Sequence, residues 1–221
     1  MKTRQTRHLG ALALGAVLAF GGASFAMAGE ADGEVTKFPF EITPYVGYQS
    51  GGKFDIEGTD EKGHVSSQVA YAIALNFRDN NETQYQVFYS RQPAHMDATS
   101  TFPNGVDVDI DYIHFGGTVR VDPGSFLEPY IVGTVGATLL SPNLPSAHNS
   151  QVFSIAFGAG LRVPVRPQFN ILMEGRAFLS FLPSGGALFC SSGQTGAGCR
   201  IQGSGSVFTQ YALMVGASFE F

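Results

Sequence analysis

The sequence predicts an all-β protein, an eight-stranded antiparallel transmembrane β-barrel of up-and-down meander topology. Three observations predict it. Eight segments alternate apolar and non-apolar residues with a period of two, the signature of strands with two unlike faces. The connections between them alternate between short and long. Charged residues make up only 14% of the chain, where a soluble domain carries roughly 25%, so something other than water must cover much of the surface.

The elements follow in chain order. Residues 1–28 read as a cleaved secretory signal. Lys2, Arg4 and Arg7 make a basic start, Leu9 to Phe20 an apolar run, and Ala26-Met27-Ala28 an A-x-A cleavage site. The apolar run is too short for a membrane-spanning helix, which needs roughly 20 residues. Residues 29–37 form a short polar lead on the periplasmic side. Loss of the three basic signal residues leaves 10 basic against 18 acidic residues, a formal charge of −8. That charge excludes nucleic acid as a partner, because nucleic acid needs a basic stripe.

Residues 38–221 hold the barrel. The predicted strands are approximately Phe38–Ser50, Ser66–Asp79, Thr83–Gln92, Val106–Val121, Leu127–Leu140, Val152–Val165, Phe169–Leu182 and Ser206–Phe221. Alternation is clearest in the last, where Val207, Thr209, Tyr211, Leu213, Val215, Ala217, Phe219 and Phe221 oppose a row from Ser206 to Glu220. The second, sixth and seventh strands divide the same way. The fifth is apolar on both rows, and the sequence does not assign its faces. In the fourth, Asp107, Asp109 and Asp111 share the parity of Ile113, Phe115 and Val119. Either the aspartates stand outward above the bilayer or a β-bulge shifts the pattern.

Short connections follow the even strands (Arg78–Glu82, Asp122–Ser125, Arg166–Gln168). Long ones follow the odd strands (Gly51–Val65, Pro93–Gly105, Ser141–Gln151, Pro183–Gly205). Short turns on one side and long loops on the other are the layout of an outer-membrane barrel, with both termini on the periplasmic side.

Alternation alone does not say which row points inward. The non-apolar row is built of Ala, Gly and Ser with few charges. A water-facing row would carry Lys and Glu, whereas small residues suit the cramped interior of eight strands. Glu41, Arg162, Glu174, Arg176 and Glu220 then face the lumen with His114. Opposite charges in a tight interior must pair, which predicts a plugged lumen. Phe40, Tyr48, Phe77, Tyr89, Phe219 and Phe221 lie near strand ends, where aromatic girdles belong. Cys190 and Cys199 share one Gly/Ser-rich loop of an exported chain and are predicted to form a disulfide. Two thiols without a histidine do not make a zinc site, so neither a metal nor any other cofactor is expected.

Ile42-Thr43-Pro44-Tyr45-Val46-Gly47-Tyr48, Phe88-Tyr89-Ser90-Arg91-Gln92, Asp111-Tyr112-Ile113-His114-Phe115-Gly116-Gly117-Thr118 and Met173-Glu174-Gly175-Arg176 resemble proteobacterial outer-membrane β-barrel proteins of the broad OmpA/OmpX-like group. The terminal Phe221, with Phe219 before it, is similar to the signal read by the barrel-assembly machinery. The resemblance implies fold and compartment, with outer-membrane lipid and lipopolysaccharide as surroundings, and it says little of activity.

The sequence supports a structural or interaction barrel that displays loops outward, with an unidentified extracellular partner. The alternative is a channel for small solutes or apolar molecules. A third reading is a lipid A-modifying enzyme, since one deacylase group uses a His-x-Ser pair and His64-Val65-Ser66 has that spacing. Both residues fall on the lumen row, and no oxyanion donor or orienting carboxylate accompanies them, so no catalytic residue is assigned. His95 and His148 read as surface residues. Asp55, Glu57, Asp60 and Glu61 read as a solvated acidic loop rather than a divalent-ion site. Asn81-Glu82-Thr83 reads as a turn rather than a glycosylation site. A monomer is expected, because a closed barrel leaves no edge to share.

Overall fold

A computed structural model describes residues 39–55, 62–97, 105–123, 126–143, 149–182, 184–193, 196–204 and 207–221. The expected signal segment (residues 1–28) and polar lead (residues 29–37) lie outside the described residues. The strands are β1 (Phe40–Gln49), β2 (Lys53–Asp55), β3 (Lys62–His64), β4 (Gln68–Arg78), β5 (Thr83–Met96), β6 (Val106–Arg120), β7 (Glu128–Pro142), β8 (Ser150–Arg166), β9 (Phe169–Phe181), β10 (Ser184–Gly193), β11 (Gly196–Ser204) and β12 (Val207–Glu220).

Eight of them close a barrel in the order β1-β12-β9-β8-β7-β6-β5-β4, and β4 returns to β1. Every neighbouring pair is antiparallel. Closure leaves no unpaired sheet edge, which hydrocarbon would not tolerate because it offers a free N–H or C=O no partner. The remaining strands form two small hairpins in long connections, β2–β3 between β1 and β4 and β10–β11 between β9 and β12. These connections were expected as plain loops.

Burial alternates along each barrel strand, as in β5 and β12. The inward row includes Thr43, Ala74, Gln86, His114, Ser154, Glu174 and Gln210; the outward row includes Val87, Phe115, Val135, Phe157, Met173 and Leu213. The apolar row therefore faces out. The two faces of β7 are now assigned. Tyr130, Val132, Thr134, Thr138 and Leu140 are buried inward, while Ile131 and Val135 are exposed outward.

In β6 the pairing with β5 runs in step from Thr83↔Val119 to Met96↔Val106. No bulge intervenes, so of the two alternatives the outward one holds. The aspartates share the outer face with Ile113 and Phe115.

β5 continues to Met96, beyond the expected end at Gln92. Pro93 is tolerated for a local reason. The N–H of His95, two residues on, points to the β4 side, where it donates to Ser66 Oγ at 3.0 Å. Pro93 N therefore points the same way, and the regular β4–β5 ladder has already ended at Tyr71↔Arg91. No ladder hydrogen bond is lost. A bulge between Pro164 and Arg166 in β8 adds one residue against β9 near the short-turn end.

Candidate functional site: the barrel interior

The interior is layered along the barrel axis. At the short-turn end, Arg162 bridges two strands' carboxylates. Its Nη2 lies 2.6 Å from Glu41 Oε2 and its Nη1 3.0 Å from Glu220 Oε1. Glu220 also receives Arg78 at 2.8 Å and Asn170 at 3.1 Å. Glu41 accepts from Asn76 at 2.8 Å and Thr43 at 3.2 Å. Arg120 reaches Glu128 at 3.3 Å.

One layer further in, Glu174 and Arg176 sit two apart on β9 and so share its inner face. Arg176 donates through Nε to Glu174 Oε1 at 2.7 Å and through Nη2 to Gln86 at 2.9 Å. Its guanidinium stacks 3.8 Å from the centre of the Phe88 ring. Tyr130 donates to the other oxygen of Glu174 at 2.8 Å. Glycine makes room for these rings. A Cβ at Gly160 would come within 2.6 Å of Tyr130 Cε1, and one at Gly216 within 2.7 Å of Tyr45 Cε1.

His114 occupies the middle. Its Nδ1 is 3.0 Å from Thr134 Oγ1 and its Nε2 2.9 Å from Ser154 Oγ. A histidine beside a serine suggests a nucleophile and its base, but a threonine stands where a carboxylate would orient the ring. Ser154 is also fully buried. The geometry is that of an interior hydrogen-bond network.

Above it, four side chains from four strands span the lumen. Gln49 donates to Gln210 Oε1 at 2.9 Å, Tyr112 donates to the same oxygen at 2.7 Å, and Gln210 donates to Gln92 at 3.0 Å. The sequence placed Gln210 on the non-apolar row, but its joining of Gln49 and Gln92 in one layer depends on barrel register, which alternation does not encode.

Beyond this layer the chemistry inverts. The inner face becomes apolar, with Ala94, Met96, Val106, Val108, Ile110, Leu140, Val152, Leu182 and Phe208 buried in one cluster. The outer face becomes charged. Arg91 pairs with Asp109 and lies 3.9 Å from Asp111, Tyr89 donates to Asp111 at 2.8 Å, and His95 Nδ1 is 2.7 Å from Asp107. This long-loop end is built like a water-soluble barrel, and the sequence reading of an inner row of small residues and paired charges does not extend to it.

Other sequence candidates lie apart from these layers. His64 is exposed at the rim and Ser66 half-buried there, so the His-x-Ser pair does not reach the lumen that its parity suggested. His95 stands on the outer end of β5 rather than in a loop, and His148, Glu57, Asp60 and Glu61 lie outside the described residues. Asn80 Oδ1 accepts from the N–H of Glu82 at 2.9 Å and of Thr83 at 2.8 Å, closing the β4–β5 turn. Phe40, Phe77, Phe219 and Phe221 point outward at the short-turn end, and Tyr48 and Tyr89 outward toward the other. Tyr71 and Tyr211 join the latter and were not singled out from sequence. In the β10–β11 hairpin, the backbone register sets Cys190 opposite Cys199. No group of His, Cys, Asp or Glu among the described residues is arranged to hold a metal ion.

No protein-family profile matches the chain, and no curated protein matches it. Solved structures do. Neisserial surface protein A is 15% identical with a TM-score of 0.55, over 83% of this chain and 97% of that one. The outer membrane protein AlkL, solved in lipid bilayers, is 14% identical with a TM-score of 0.53, over 82% and 90%. The outer membrane protein OprG of Pseudomonas aeruginosa is 10% identical with a TM-score of 0.48, over 83% and 97%. The chain has the fold of the small bacterial outer-membrane β-barrels. At these identities the likeness is one of fold.

Proposed function

We propose that this protein is a plugged outer-membrane barrel, non-enzymatic and monomeric, whose work is done by the loops it displays. Both termini lie in the periplasm, and the chain is exported, its signal removed, and inserted by the barrel-assembly machinery through the Phe219–Phe221 end. The outer row meets lipid, and the long-loop end meets lipopolysaccharide. The observation that carries the reading is the closure of the interior. Glu174, Arg176, Gln86, Ser154 and Gln210 are each 2% exposed or less, and Gln86 ties the Glu174–Arg176 layer through Asn76 to Glu41 in the layer below. A conducting lumen would leave such side chains wet. A disulfide between Cys190 and Cys199 staples the β10–β11 hairpin. Directly opposed Cα atoms in an antiparallel pair lie about 4.5–5.5 Å apart, inside the range of roughly 4.4–6.8 Å that a disulfide spans.

Planar-bilayer recording of the refolded chain tests this. The expected result is no sustained conductance steps; stable ohmic steps would overturn it. Lipid A from expressing cells should keep its acyl pattern, with no difference between wild type and Ser66→Ala.

A second reading has its own observation. Between Tyr71↔Arg91 and the isolated bridge Val65↔Met96, the β4–β5 ladder is interrupted. The interruption sits beside Pro93, at the level of the apolar inner cluster. An apolar molecule entering from the long-loop end could leave sideways into lipid there without crossing the polar layers below. Expression in a strain growing on a long-chain alkane would then speed uptake, and a disulfide engineered across the interruption would abolish the gain.

A further inference from the structure

The short-turn end of the interior opens into a cavity of about 340 Å³, at the small end of the roughly 300–1,000 Å³ typical of ligand pockets. Four arginines line it, Arg78, Arg120, Arg162 and Arg166, against two carboxylates, Glu128 and Glu220. The acceptors are shared out. Glu220 Oε1 alone takes Arg78, Arg162 and Asn170. Donors are left over. Arg120 Nε and Nη2, Arg78 Nε and Arg162 Nε are buried and have no hydrogen-bond partner among the described residues. Arg120, at 10% side-chain exposure, is held by one contact to Glu128.

Buried guanidinium donors without acceptors are costly, and the four arginines outnumber the three carboxylates Glu41, Glu128 and Glu220 that pair with them. An anion with several acceptor oxygens relieves both penalties. The planar fork of arginine suits phosphate in particular, with two parallel N–H···O bonds from one side chain. A phosphate group also supplies more acceptors and more charge than a carboxylate, which matches several unused N–H groups on converging arginines.

We propose that this mouth is a binding site for a phosphate-type oxyanion, with Arg120 and Arg162 as its floor and Arg166 at its entrance. The anion could come from two sources with the same chemistry. A free phosphate could enter along the axis. A phospholipid headgroup could reach in over the rim, because the outward Phe40, Phe219 and Phe221 place an aromatic ring of lipid-facing residues at this same end.

Isothermal titration of the folded mature chain in a non-ionic detergent tests this, with sodium phosphate as one probe and dihexanoylphosphatidylglycerol below its micelle concentration as the other. Saturable binding is expected, weakened about tenfold or more by Arg120→Gln, the loss of one charge-assisted hydrogen-bonding group, and by Arg166→Gln. Arg91→Gln, on the outer face at the other end, should leave it unchanged. Binding of phosphate identifies a free oxyanion, and binding of the lipid alone a headgroup. Arg166 is exposed, so its variant folds even if loss of Arg120 disturbs the barrel, and heat-modifiable gel migration confirms folding of each. No saturable heat from either probe, or an affinity equal in wild type and Arg166→Gln, or equally weakened by Arg91→Gln, overturns the proposal.

Discussion

Removing the Arg176 side chain should be among the most damaging single changes in the barrel. Arg176→Ala deletes two contacts to Glu174, one hydrogen bond to Gln86 and the stacking on Phe88. It leaves Glu174, which has no solvent exposure, with Tyr130 as its remaining donor. Breaking a buried ion pair from one side costs about 3–5 kcal/mol, because the orphaned charge stays buried. Replacing both partners removes that penalty. Glu174→Gln with Arg176→Gln keeps hydrogen bonding to Tyr130 and Gln86 and should cost about 2 kcal/mol or less. Glu174→Gln, Arg176→Gln and the double variant then form a cycle with a coupling energy of about 2–3 kcal/mol. The chain has no Trp, so unfolding is best followed by urea titration in lipid vesicles with gel migration of unboiled samples as the readout. The reasoning is refuted if Arg176→Ala costs under about 1 kcal/mol, or if the single effects simply add.

Three further outcomes follow from the same geometry. Val135→Arg, in the middle of the outer face of β7, should cost about 2–4 kcal/mol in urea unfolding from vesicles, while Asp109→Arg, on the charged outer face of the long-loop end, should show no penalty of that kind. Arg91→Ala should leave the midpoint of the same titration essentially unchanged, because Arg91 and its partner Asp109 are solvent-exposed. Gly160→Ala should destabilise by about 1–3 kcal/mol through displacement of the Tyr130 ring, whereas Gly133→Ala, with nothing near its added Cβ, should be neutral.

Much of the barrel was legible because strand parity survives folding unchanged. The eight strands and the inward placement of Glu41, Arg162, Glu174, Arg176, Glu220 and His114 follow from counting by twos and from the small residues between them. What was not legible depends on height rather than parity. β7 looked apolar on both rows because its outer face meets the apolar band, while its inner face carries Val132 and, at the long-loop end, Leu140. Parity put the aspartates of β6 outward with Ile113 and Phe115 or else required a bulge, and only the unbroken register with β5 decides between the two. The expected end of β5 fell at Gln92 because sequence does not tell that β5 has by then lost its regular ladder to β4. The hairpins β2–β3 and β10–β11 are short or Gly/Ser-rich and carry too little alternation to be seen. The glutamine layer and the arginine mouth are products of register between strands far apart in sequence.

The claim on which all this stands is that the apolar row meets lipid and the polar row meets itself. Solid-state NMR of the protein in lipid bilayers tests it most directly, through cross-peaks between lipid acyl chains and assigned side-chain methyls. Cross-peaks are expected to Ile131, Val135, Ile155 and Leu213 and none to Ala156, Leu172 or Met214. Cross-peaks to the second group and not the first would contradict it.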